Sequence, residues 1–135
     1  MKKTSVLLGV VLWSLFFLSG CNFIRIEEEP RKPLEYSIVK NENLPAELAA
    51  LIQEKKGKAF QLTYQSEKDL FLIRGYGQQM SGGYSIQVAE LSASSATIFF
   101  KTRLIGPEKE NQSGAPSYPY IAVKTDYREE PVLFE

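Results

Sequence analysis

The sequence predicts a mainly β domain: an antiparallel sandwich or small barrel with one covering helix at about residues 45–56. Three observations carry that expectation. Apolar and polar residues alternate in several short runs. These runs follow one another at short spacing, with no helical stretch between them after residue 58. A single segment places its apolar residues at i, i+3, i+4.

Residues 34–39 alternate well enough for a first strand. Asn43-Leu44-Pro45 then opens the helix, because proline costs little in a first turn where its missing donor would be unpaired. Leu48, Leu51 and Ile52 share one helix face. Lys55, Lys56 and Lys58 gather at the negative end of the helix dipole, and Gly57 suits the C′ position. The period then changes to two. Phe60, Leu62 and Tyr64 face one way and Gln61 and Thr63 the other. Leu70-Phe71-Leu72-Ile73 is unbroken, which predicts a strand covered on both faces. Tyr84, Ile86 and Val88 alternate with Ser85 and Gln87. Residues 97–105 form the next strand, after the polar turn at Ser92-Ala93-Ser94-Ser95. Residues 120–124 follow, and Val132-Leu133-Phe134 closes the sheet.

Composition excludes much chemistry. The 135 residues suit one domain, and 16 basic against 16 acidic side chains give no basic footprint for nucleic acid. The absence of histidine removes the His-based triads, His-ligated zinc and His general bases. One cysteine allows no intrachain disulfide and no cysteine-rich metal site. No cofactor other than a covalent lipid is expected. The default is a non-enzymatic binding module. Carboxylates such as Glu67, Asp69 and Glu90, or Ser81 with a lysine, are the remaining catalytic groups, and no spacing singles them out.

The N-terminus reads as an address. Lys2 and Lys3 precede residues 6–18, which are apolar apart from Gly9 and Ser14. Thirteen helical residues span about 20 Å, short of the roughly 30 Å hydrocarbon core. Leu18-Ser19-Gly20-Cys21 resembles the bacterial lipoprotein lipobox. That resemblance implies cleavage after Gly20, acylation of Cys21 by a diacylglyceryl group and palmitate, and anchoring on the extracytoplasmic face of a membrane in a bacterial cell envelope. The expected organisation is a signal peptide at 1–20, a lipidated Cys and charged tether at 21–33, and a single β-rich domain at 34–135. Loss of Lys2 and Lys3 leaves a formal charge of −2.

Two loops stand out. Residues 75–84 hold four glycines, which permit positive φ and close backbone approach. They are not a phosphate loop, because no Lys-Ser/Thr follows and a strand comes next. Residues 106–117 are long for a connection in a compact domain and lead into Tyr118-Pro119-Tyr120. Tyrosine and proline make rigid contact surfaces. The two loops are expected to converge at one end of the sheet. Their candidate contact residues are Gly82, Gly83, Tyr84, Tyr118, Pro119 and Tyr120.

Gly82-Gly83-Tyr84-Ser85-Ile86-Gln87-Val88, followed by Tyr118-Pro119-Tyr120-Ile121-Ala122-Val123-Lys124, resembles the C-terminal domain of the protease complex subunit PrcB family over about residues 70–125. Ser81 precedes the glycine pair as in many members, whereas Met80 stands where members often have proline. The resemblance implies a non-catalytic extracytoplasmic module, with an accessory role in a surface protease as the sharper expectation. The polar-Gly-Gly-Tyr loop with a Pro-aromatic loop is also similar to the chagasin-type cysteine protease inhibitors, immunoglobulin-like sandwiches whose end loops enter a protease cleft; their third loop has no counterpart here.

The leading expectation is thus a lipid-anchored protein-interaction module, with the membrane and a protein, such as a protease, as partners and no nucleic acid. Loop-mediated protease inhibition and cell-wall glycan binding are the alternatives. Titration against proteases and a glycan pull-down separate them.

Overall fold

The computed structural model describes residues 30–135. The expected signal peptide, Cys21 and most of the tether lie outside the described residues. Among those described, no helix is long and apolar enough to cross a membrane.

Among the described residues, eight strands form two four-stranded sheets. β1 (Lys32–Pro33), β5 (Ser85–Ala93), β6 (Ile98–Ile105) and β8 (Val132–Phe134) make the first, in that order. β2 (Ser37–Ile38), β7 (Tyr120–Asp126), β4 (Asp69–Tyr76) and β3 (Ala59–Ser66) make the second. The two sheets stay separate, so the fold is a sandwich and not a barrel. The helix α1 (Ala46–Lys55) covers the outer face of the second sheet.

β4 and β7 are the central strands of the second sheet and are buried on both faces. Leu70, Leu72, Ile121 and Val123 point into the sandwich, against Leu91, Ile98 and Phe100 of the first sheet. Phe71, Ile73 and Ala122 point the other way, against Leu44, Leu48 and Ile52. This accounts for the unbroken apolar run at 70–73: neither face of the strand meets water. Leu48 and Ile52 each contribute roughly 1.5–3 kcal/mol by full burial, which holds the helix to the sheet. Phe60, Leu62 and Tyr64 pack on the rim of the same cluster, as their alternation predicts.

Three details differ from expectation. Of the strand expected at 34–39 only Ser37–Ile38 is strand, and a further short strand, Lys32–Pro33, forms where the tether was expected. β1 pairs with β5 and β2 with β7, and the chain crosses between them at residues 34–36. The crossing is held by the buried Thr125 hydroxyl, which donates to the Glu35 carbonyl at 2.7 Å. β8 runs parallel to β6. β7 ends at the far end of the second sheet, so a chain that crosses there must return in the direction β6 already takes. Gly57 is not a left-handed cap: its φ is not positive, and the helix instead ends with the Lys56 and Lys58 N–H groups on the carbonyls of Ile52 and Lys55.

β5 starts at one end of the sandwich and finishes at the other, where Ala93 pairs with Lys32. The described chain therefore begins, at Pro30, beside the β5–β6 turn. The loops before β5 and after β6 lie at the opposite end, about 30 Å away along nine residues of strand.

Candidate functional site

The two loops meet, as expected. Gln79 and Ser117 form an isolated antiparallel bridge, with N–H to O distances of 2.8 and 3.0 Å. The Ser117 hydroxyl donates to the Ser81 carbonyl at 2.7 Å, and the Gly82 N–H donates to the Ser113 hydroxyl at 2.8 Å. The Gln79 side-chain amide closes the near side of its own loop on the Tyr76 carbonyl at 3.1 Å. These bonds splice the loops into one body.

Gly83 shows why a glycine is needed there. Its φ is +88°, and a Cβ on it would stand 2.8 Å from the Pro107 side chain and 3.2 Å from the Asn111 carbonyl. The loop can lie on its neighbour only because that side chain is missing. At the root of the loop, a Cβ on Gly75 would sit 2.1 Å from the Phe60 ring.

The predicted contact residues divide. Gly82 and Gly83 join the two loops: Gly82 bonds to Ser113, and Gly83, still exposed, lies against Pro107. Tyr84 is half-buried and lies over Gly106. Pro119 extends the β4–β7 ladder by accepting from the Tyr76 N–H at 3.1 Å. Tyr120 packs into the helix-side cluster, its hydroxyl donating to Asn41 Oδ1 at 3.1 Å; burial raises its phenol above the ordinary range. Tyr118 remains 38% exposed, with the Lys56 ammonium 5.4 Å from its ring centre.

Sequence reasoning missed two surface groups. Met80 is 80% exposed at the tip of the first loop. Its only signal was that it replaces a proline of the family pattern. Lys56 belongs to the same end because β3 starts there, opposite Tyr76; read along the helix, it suited the dipole first and an anionic-lipid patch second. Ser113 and Ser117 were visible only as polar loop residues, yet they are the fasteners.

The Ser81 hydroxyl donates to the adjacent Gly82 carbonyl at 3.2 Å. Glu67 and Asp69 flank the β3–β4 turn and line an open groove of about 600 Å³ with Lys124. Glu90 lies in the other sheet, where the Ser92 hydroxyl at 2.6 Å and Arg31 at 2.9 Å hold its carboxyl below the usual range. Among the described residues, no three acidic or other metal-binding side chains cluster.

The strand–loop–strand order, with the glycine pair locked against the long loop, is the segment that bears the family signature. Residues 70–126 match the PrcB C-terminal family model. The PrcB C-terminal match runs from β4 to the end of β7 and so contains both loops and every bond between them. The helix, β1 to β3 and β8 stand outside it. No curated protein and no solved structure matches the chain.

Proposed function

We propose that this chain is a lipid-anchored, non-catalytic subunit outside the cytoplasm that binds a protein partner, a protease complex by the PrcB resemblance, through the spliced loops. The observation that carries the reading is the joining of the two loops into one preorganised surface at the end of the sandwich remote from Pro30. A surface held by internal hydrogen bonds loses little conformational entropy on binding. Met80 and Tyr118 supply its apolar and aromatic contacts, and Lys56 its charge.

The position of Pro30 suits the expected anchor. A chain acylated at Cys21 would reach the sandwich beside the β5–β6 turn. The loops would then point away from the bilayer by the length of the domain.

The test is capture from membranes solubilised in mild detergent, using the tagged full chain and a Met80→Asp, Tyr118→Ala variant. A partner recovered with the native chain and lost with the variant supports the proposal. Recovery of the chain alone across growth conditions overturns it. Replacement of Cys21 by Ser releases the chain from the membrane fraction if the anchor is a thioether lipid. Mass spectrometry finding a free thiol at Cys21 in the native protein overturns the anchoring. The inhibitor alternative predicts micromolar inhibition of a cysteine protease by the same loops; the subunit reading predicts none.

A further inference from the structure

Three of the four sheet edges are short. β1 and β2 have two residues each and β8 has three, whereas β3 has eight. The longer strands of the first sheet that outrun their short edges are also protected. β5 is bulged between Val88 and Glu90, and β6 carries Lys101 and Arg103 beyond the end of β8. Bulges and charges are the usual defences against strand addition. β3 has neither: its sequence AFQLTYQS contains no charge and no proline, and its register with β4 is unbroken.

The Tyr76 N–H points to β7, where it donates to Pro119. Its partner Ala59 is therefore a non-hydrogen-bonded position of the β3–β4 ladder. By alternation, Ala59, Gln61, Thr63 and Gln65 turn their N–H and C=O groups away from β4. Among the described residues, nothing pairs with that edge. The described chain begins at β1, which is an edge of the other sheet.

We propose that β3 pairs antiparallel with β3 of a second copy of this chain, about a two-fold axis at Leu62. In that register Leu62 faces Leu62 of the copy, Phe60 faces Tyr64, and Gln61 faces Thr63. Apolar residues meet on the helix side and polar residues on the other, and the outward groups of Gln61 and Thr63 bond each other. Charge selects this alignment. It brings Lys58 beside Ser66 and Glu67 of the copy at both ends of the interface. A shift that centres the axis on Thr63 sets Lys58 against Lys68 at both ends and is repelled, and one that centres it on Gln61 sets Lys58 against Tyr64 and loses the Glu67 contact. The two second sheets join into one of eight strands, and the edge disappears. The loop surface lies elsewhere, so dimerisation and partner capture can fail separately.

The test uses the full chain in density-matched detergent. Sedimentation equilibrium is expected to give a dimer that Gln61→Lys with Thr63→Lys weakens at least about tenfold, through two like-charge pairs across the axis. Gln87→Lys, exposed on β5, leaves it unchanged. Leu62→Cys is expected to form an intermolecular disulfide on mild oxidation, because a non-hydrogen-bonded pair places Cα atoms about 4.5 Å apart, within disulfide reach; the native chain, carrying Cys21 alone, is the control. A monomer at about 100 µM, or a dimer indifferent to the lysines, overturns the proposal. Crosslinking through Leu62→Cys but not through Gln61→Cys or Thr63→Cys fixes the register.

Discussion

Gln79 and Ser117 exchange backbone hydrogen bonds at 2.8 and 3.0 Å across 38 positions of chain, and the Ser117 hydroxyl adds a third bond, to Ser81. Two loops that leave different sheets are thereby made one surface. Neither loop contributes a residue to the buried cores. Their order rests on polar bonds at the surface, and those bonds can be removed without disturbing the sandwich.

Ser113→Ala with Ser117→Ala removes the two side-chain fasteners, each worth about 1 kcal/mol. The opening is local, so amide exchange at Gln79 and Gly82 should quicken roughly five- to tenfold while exchange in β4 stays as it was. Partner capture should fall in step with loop exchange. Equal loss of protection in β4 would show that the bonds hold the whole fold.

Gly75 is the place where the sheet has no room. A methyl group there enters the Phe60 ring, so Gly75→Ala should cost about 1–3 kcal/mol and lower the thermal midpoint by roughly 5–15 °C. Phe60→Ala removes the obstacle. The double variant should be more stable than the two single losses predict, because the residues are in contact. Strict additivity, measured by thermal unfolding, would refute the clash.

How much of this was legible in the sequence follows from what each residue touches. The apolar run at 70–73 announced a strand covered twice, and the 48/51/52 spacing announced the helix that covers it. These signals are local and depend on burial alone. The crossing at residues 34–36 was invisible because the alternation continues through it; only the pairing of β1 with β5 and β2 with β7 shows that the chain changes sheets there. Tyr118 and Tyr120 looked equivalent, two residues apart on one side of the chain. They differ because Asn41, nearly eighty residues earlier, reaches the second and not the first. The meeting of the loops at one end of the sheet was expected, but its fasteners are serines, whose bonds depend on partners far along the chain.

Arg74 carries a second stability prediction. It follows Leu70 and Leu72 on the inward face of β4, and one of its terminal nitrogens is buried with no hydrogen-bond partner. Its guanidinium carbon lies 5.4 Å from the Tyr76 ring centre, a contact that gives less than a full hydrogen bond. Arg74→Met keeps the stem, removes the unpaired donor and should raise the denaturant midpoint, or leave it unchanged. Arg74→Ala should lower it by opening a cavity. A large loss with Met, in chemical denaturation, would mean that the buried nitrogen is bonded in solution.

Glu90 sets an acid limb on stability. The Ser92 hydroxyl, followed by Arg31, lowers its pKa in the folded chain. A depressed carboxyl favours the folded state above its unfolded pKa and loses that advantage as pH falls through the folded value. The native chain should therefore be more stable than Glu90→Gln at neutral pH. The gap should shrink below the ordinary carboxylate range and vanish once Glu90 is protonated in both states. Because the pair is largely in water, the gap is small and salt-sensitive. Arg31 also stacks on Phe99 at 3.6 Å and reaches Glu135 at 3.5 Å, so it stays in place when Glu90 is lost. Thermal midpoints of the two chains from pH 7 to pH 3 read the effect directly; parallel curves would show that Glu90 titrates alike in the folded and unfolded chain.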